Sequence, residues 1–234
     1  MRVAVAGASG RTGAPVAEAI AAAADLDLVA RIAPSLAGQQ PDGFGSVAEA
    51  LEAVTPDVLV DFTQPAFAAA HARAAIERGV HVVLGTTGLS PDARRALGDS
   101  AQHASVRLFY GPNFALGAVL AMRFAEQAAR VFSRAEIVEL HDERKVDAPS
   151  GTAAVTAERI TAITGHAVPI HSVRLPGLIA HQETLFGNHG ELLTIRHDTS
   201  SREAFAPGVL VALRGLERLP FGLTVGLEAL LVSD

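Results

Sequence analysis

A short apolar run, Val3 to Ala6, gives way to Gly7-Ala8-Ser9-Gly10-Arg11-Thr12-Gly13, and Val16, Ala17, Ala19 and Ile20 then recur at helical spacing. A near-continuous apolar run of this length is the pattern of a strand buried on both faces of a parallel sheet. Between a strand and a helix, three glycines at this spacing have separate tasks. The first permits a tight turn, the second lets the backbone approach a pyrophosphate, and the third lets the helix sit close to the strand. The helix start adds unpaired N–H groups and a partial positive charge. Gly7, Ala8, Ser9, Gly10, Arg11 and Thr12 are therefore expected to cradle the phosphates of a dinucleotide, against the plainer alternative of a simple strand–helix turn.

The pattern repeats along the first half. Leu26 to Ile32, Val58 to Phe62, His81 to Leu84 and Val106 to Tyr110 read as strands. Between them, Ser46-Val47-Ala48-Glu49 is a capping box opening a helix to Val54, Pro65 to Arg78 forms a helix closed by Gly79, and Ser90-Pro91 starts another. This alternation predicts an α/β fold with an N-terminal Rossmann-type, doubly wound parallel sheet. The second half differs. Helices are expected over Leu116 to Phe132 and Thr152 to Thr164, and a strand over Ala135 to His141. From His171 to Asp198, alternation around Gly187 and Gly190 predicts a smaller α+β domain with a largely antiparallel sheet. The apolar tail from Pro207 is expected to return to the first sheet. The 234 residues thus divide into a dinucleotide-binding domain, 1–112 with the return of 208–234, and a substrate-binding and oligomerisation domain, 113–207.

Composition narrows the function. A net charge of −6 lacks the basic footprint of nucleic-acid binding. Zero cysteines remove disulfides, thiolate metal sites and cysteine nucleophiles. Mean hydropathy is +0.29, but no apolar run approaches the roughly 20 residues of a membrane span, and Glu18 breaks the best candidate, Pro15 to Ala24. A cytoplasmic protein with no membrane partner is expected. Nine histidines supply no His-x₃-His pair on a helix, so no metal is expected. His103, His166, His171 and His189 read as surface residues, while His181 and His197 either line a substrate pocket or cap strands. The single tyrosine, Tyr110, has Phe114 rather than a lysine four positions on, which excludes short-chain dehydrogenase chemistry.

The second strand ends Val29-Ala30-Arg31-Ile32-Ala33-Pro34-Ser35, without the acid that binds an adenosine ribose 2′-hydroxyl. Arg31 or Arg11 is then available to a 2′-phosphate, so the cofactor is expected to be NADPH or NADH with a lean toward NADPH; a solvated Arg31 is the alternative. Gly85-Thr86-Thr87-Gly88 and Gly111-Pro112-Asn113-Phe114 leave the fourth and fifth strands at the carboxyl edge, where open α/β sheets bind ligands. Gly85, Thr86 and Thr87, with Gly111, Pro112, Asn113 and Phe114, suit the nicotinamide end.

The densest polar stretch is Glu139-Leu140-His141-Asp142-Glu143-Arg144-Lys145-Val146-Asp147-Ala148-Pro149-Ser150-Gly151-Thr152-Ala153. Ser150, Gly151 and Thr152 open a helix whose N–H groups suit a carboxylate. Lys145 adds a point charge, and His141 titrates near neutrality. Together they suit a carboxylated substrate that must receive a proton; the alternative is a capped helix beside a solvated charge run.

That block, with Gly7 to Gly13, Val60-Asp61-Phe62-Thr63, Gly85 to Gly88, Pro112-Asn113-Phe114, Arg174-Leu175-Pro176-Gly177, His181-Gln182-Glu183, Gly190-Glu191 and Ile195 to Asp198 followed by Arg202, resembles the dihydrodipicolinate reductase (4-hydroxy-tetrahydrodipicolinate reductase) family over the whole chain. The resemblance implies NAD(P)H-dependent reduction of a cyclic imine dicarboxylate in diaminopimelate and lysine synthesis. It also implies His141 as proton donor, Lys145 as second acid and carboxylate partner, Gly151 and Thr152 on the other carboxylate, and a homotetramer joined through the C-terminal sheet. One departure is Asp142, where the family usually has a second histidine. Facing the pocket, Asp142 repels a dianion by about 1 kcal/mol in a wet site; the alternatives are that it faces away from His141, as neighbours on a strand do, or that it holds Arg144 or Lys145 in place. Two other readings are an NAD(P)-binding redox sensor and a weakly active homologue acting on another cyclic imine.

Overall fold

The computed structural model describes residues 1–231 and divides into two compact units, one of residues 1–114 with Phe205 onward, the other Ala115–Ala204. In the first unit, strands β1 (Arg2–Ala6), β2 (Asp27–Ile32), β3 (Gly43–Phe44), β4 (Val58–Asp61), β5 (His81–Leu84) and β6 (Arg107–Tyr110) alternate with helices α1 (Gly13–Ala21), α2 (Val47–Ala53), α3 (Pro65–Ile76) and α4 (Pro91–His103). All pair in parallel in the order β3-β2-β1-β4-β5-β6, reversing direction at β1. Val3, Val5, Val58, Leu59, Val60, Val82 and Val83 are fully buried. Burying each such side chain contributes roughly 1.5–3 kcal/mol, against a span of about 1 kcal/mol for strand propensity, so burial decides these strands. The serines cap as expected: Ser46 Oγ accepts from Glu49 N at 3.2 Å and Ser90 Oγ from Ala93 N at 3.1 Å. Glu49 reaches back to Gly45 N at 2.9 Å, one residue before the position the capping box predicts.

The second unit holds α5 (Leu116–Ala129), β7 (Arg134–His141), α6 (Gly151–Thr164), β8 (Ile170–Arg174), β9 (Ala180–Asn188) and β10 (Glu191–Thr199). Its sheet runs β10-β9-β7-β8. The pairs with β9 are antiparallel, whereas β8 lies parallel to β7, because α6 carries the chain across between them. Ala135, Ile137 and Glu139 alternate onto the buried side of β7, and Phe186 joins them there with Ala125 and Ala129 of α5 and Ala153, Ala157 and Ile160 of α6. Gly187 lies inside β9, opposite Leu192, and the turn falls on His189 and Gly190, where Gly190 takes φ +79°. Helix α5 stops at Ala129, short of the expected Phe132, whose ring packs on Phe186 at 5.9 Å.

The chain returns to the first unit through α7 (Ala206–Gly215), which packs on α1 and pairs Arg214 with Asp25 at 2.9 Å. Strand β11 (Gly222–Val225) then adds in parallel outside β6, before α8 (Glu228–Leu231). None of the helices among the described residues is long and apolar enough to cross a membrane.

Candidate active site

The glycine loop leaves β1 at the point where strand order reverses, the usual ligand position in an open α/β sheet. Gly7 has φ +80°, and a Cβ there would meet the Phe62 carbonyl oxygen at 2.5 Å. A Cβ on Gly13 would meet the Gly7 oxygen at 2.1 Å, so the third glycine is required by the approach of α1 to β1. The loop is pinned by Gly7 N to Ile32 O at 2.9 Å and Gly10 N to Gly7 O at 2.8 Å. Ser9, Gly10 and Arg11 are exposed, and Thr12 makes no side-chain capping bond. A cleft of about 270 Å³ lies beside them, lined by Thr12, Phe62, Thr63, Pro65, Gly85, Thr86 and Thr87. An exposed, backbone-rich turn at a helix N-terminus, opening on hydroxyl-lined space, fits a dinucleotide.

Gly85 and Gly111 also have a reason within the protein. A Cβ on Gly85 would lie 2.3 Å from the Phe62 ring, and one on Gly111 the same distance from the Phe114 ring. The two rings meet edge to face at 5.6 Å, and Phe114 packs on Phe109 at 5.9 Å. Pro112 is exposed and Asn113 half-buried beside them. Arg31 is ion-paired with Asp42 and lies 3.6 Å from Glu18, so its charge is already shared between two carboxylates.

Sequence reasoning assigned no role to Asp61, which is fully buried at the end of β4. It accepts from Thr63 N (2.9 Å), Thr63 Oγ1 and Thr86 Oγ1 (2.7 Å each), and lies 2.8 Å from His71 Nδ1. Burial pushes the Asp61 carboxyl up, but the bonds from His71, Thr63 and Thr86 outweigh it and hold it below its ordinary value. Asp61 thus fixes two of the cleft's threonines.

In the second unit, His141 ends β7 with Nδ1 against the Glu139 carboxylate. Glu139 is fully buried and takes two bonds from Arg174 of β8, at 2.7 and 2.9 Å, and one from Ser150 N at 3.3 Å. Burial raises the Glu139 carboxyl, but Arg174, Ser172 and His141 overcome it and bring it down to about 2. For His141, burial lowers the imidazole below its ordinary value; Glu139 opposes this, and Lys145 and Arg174 add to it. Lys145 Nζ sits on Asp147 at 2.8 Å from both oxygens, and Ser150 Oγ caps α6 through Ala153 N at 3.2 Å. Gly151 opens α6 onto free space, with nothing within 4 Å of an added Cβ. Asp142 takes the side chain of Arg144 at 2.7 and 3.0 Å and its backbone N at 3.0 Å.

Glu139 and Arg174 were not singled out from the sequence. The available signal was a carboxylate two residues before His141, on the same strand face. His181 pairs with Asp198 at 2.7 Å, and His171 with Glu136 at 2.7 Å. A Cβ on Gly117 would lie 2.5 Å from the His197 ring.

Comparison with known proteins supplies a second line. The family model "Dihydrodipicolinate reductase, N-terminus" matches residues 1–114, and "Dihydrodipicolinate reductase, C-terminus" matches residues 117–231. The 4-hydroxy-tetrahydrodipicolinate reductase of Moorella thermoacetica is 42% identical over 262 residues, covering 99% of this chain and 98% of that protein. The protein of the same name in Cutibacterium acnes is 44% identical over 255 residues, with 99% and 98% covered. Among solved structures, a dipicolinate-bound dihydrodipicolinate reductase from Paenisporosarcina sp. TG-14 superposes with a TM-score of 0.85 at 34% identity, covering 99% of both chains.

Proposed function

The chain belongs to the dihydrodipicolinate reductase family of oxidoreductases, and from that premise we propose that it reduces 4-hydroxy-tetrahydrodipicolinate (dihydrodipicolinate) to tetrahydrodipicolinate, on the route to diaminopimelate and lysine. The observation that carries this reading is one continuous segment, β7 to α6. It gathers an imidazole on a buried carboxylate, an ammonium and an open helix N-terminus. Those groups fit a dianion that takes up a proton.

A reduced nicotinamide, when bound, supplies a hydride to the conjugated imine. The two electrons arriving with that hydride leave negative charge on the substrate, and His141 quenches it by giving up its proton and becoming neutral. Lys145 leaves Asp147 for one substrate carboxylate. Gly151 and Thr152 hold the other through N–H groups of the first turn of α6. Asp142 is paired with Arg144, which matches its charge, so its repulsion of the dianion is small.

In the first unit, Gly7 to Thr12 hold the pyrophosphate, and Gly85, Thr86 and Thr87 with Gly111 to Phe114 hold the nicotinamide end. With no carboxylate on the last residues of β2, and Arg11 and Arg31 at hand, NADPH is the better cofactor and NADH is also used. The engagement of Arg31 with Asp42 keeps the difference modest. The first unit is the cofactor domain, and the second binds substrate and joins a homotetramer working in the cytoplasm. NADPH oxidation assayed with freshly generated dihydrodipicolinate, and repeated with NADH, tests the reading. Consumption with both and a lower KM for NADPH is expected. Silence with both overturns it.

A further inference from the structure

Glu139 touches the proton donor yet has no part in the steps above. It lies on the helix-facing side of β7, fully buried, where an unpaired carboxylate is strongly disfavoured. Arg174 balances it through two bonds and is itself held by the carbonyls of Val173 and Asp147, at 2.7 and 2.8 Å. An ionised carboxylate can only accept hydrogen bonds. The imidazole nitrogen against it, Nδ1, therefore carries a hydrogen in both charge states of the ring. That leaves Nε2 as the atom that exchanges a proton.

Among the described residues, the charged side chains that follow His141 in the loop include two compensated pairs. Lys145 is matched by Asp147 and Asp142 by Arg144, and the first turn of α6 carries no acidic side chain. The Glu139 carboxylate favours the imidazolium and the Arg174 guanidinium disfavours it. Burial is the largest influence against the imidazolium, and Arg174 adds to it, so together they oppose the hold of Glu139 on the proton.

Resting on the reduction proposed above, we propose that Glu139 and Arg174 are a positioning pair for His141. The carboxylate keeps the hydrogen on Nδ1 so that Nε2 delivers the proton, and the guanidinium offsets the carboxylate so that the proton can leave.

The test reads the imidazole itself, by ¹⁵N NMR titration of the full-length protein without substrate. The His141 signals are assigned by their disappearance in His141→Asn. In the wild type the neutral ring is expected to carry its hydrogen on Nδ1. In Glu139→Gln the titration of His141 moves to lower pH, since Arg174 is then unopposed; in Arg174→Gln it moves to higher pH. The alkaline limb of kcat follows in the same two directions. Turnover of Glu139→Gln falls roughly 10- to 100-fold, as when the carboxylate partner of a metal-bound histidine is removed, while cofactor affinity is unchanged. Hydrogen on Nε2 in the neutral wild-type ring, or shifts that are absent or share one direction, overturn the pair. If Arg174→Gln does not fold, Glu139→Gln decides alone, and an unchanged or upward titration overturns the proposal. The titration uses no substrate, so a wild type inactive on dihydrodipicolinate would defeat the reading of the reaction and leave this test standing.

Discussion

At the residue scale, His141 combines burial with a compensated carboxylate. Its imidazole lies below the ordinary value in the free protein, through burial and the charges of Lys145 and Arg174, against the pull of Glu139. An acid catalyst works while protonated, so kcat/KM is expected to be full below that value and to fall as pH rises through it. A bound dianion favours the imidazolium, so the limb for kcat lies at higher pH than the limb for kcat/KM. Coincident limbs in a pH–rate series would contradict this. Lys145→Ala is expected to lower turnover and raise the substrate KM together, because in the proposed mechanism one ammonium serves both tasks. Asp142→His is expected to change KM by at most about fivefold, the worth of an exposed ion pair. His141 and Lys145 stood out in the sequence by residue type and order, and Asp142 by its departure from the family resemblance. Glu139 and Arg174 did not, because their meeting depends on β8 pairing beside β7, which no local spacing encodes.

At the scale of elements, the approach of α1 to β1 shapes the glycine turn proposed to hold the pyrophosphate. A Cβ on Gly13 would lie 2.1 Å from a backbone oxygen, which no side-chain rotation relieves. Gly13→Ala is expected to cost about 1–3 kcal/mol, the usual range for overpacking, and to weaken NADPH binding. Thermal unfolding and cofactor titration read the two effects, and unchanged values of both would contradict this packing. In the second unit, the Glu139 carboxyl stands at about 2, below its ordinary 4.5. A carboxyl lowered by folding contributes stability that is full above the ordinary value and is lost as pH falls toward the folded one. Acid unfolding of the wild type is therefore expected to steepen between about 4.5 and about 2, and Glu139→Gln to flatten that window. Strands β1, β4, β5 and β6 were legible because burial on both faces leaves short continuous apolar runs, whereas β11 was read only as part of an apolar tail returning to the sheet. The two-residue β3 was not legible, since Gly43 and Phe44 carry no period. Nor was the strand position of Gly187, because its lack of a side chain reads as a turn whether or not one is present.

At the scale of the molecule, each half of the chemistry has its own unit. The first keeps its polar groups at the carboxyl edge of a parallel sheet, and the second places a buried ion pair under the imidazole proposed as proton donor. Strand β10 leaves Leu192 70% and Leu193 38% exposed. Apolar exposure on the open sheet supports assembly there, and sedimentation is expected to give a particle of about four times the 24.2 kDa chain; a single-chain mass would contradict the tetramer. In the proposed reaction His141 protonates a diacid imine as a hydride arrives. Single-turnover oxidation of bound NADPH by dihydrodipicolinate, compared between the wild type and His141→Ala, tests it most directly. The expected result is a rate lower by roughly 10²- to 10⁴-fold, the usual worth of general acid catalysis, at unchanged NADPH affinity. A rate within a few-fold of the wild type would contradict the claim.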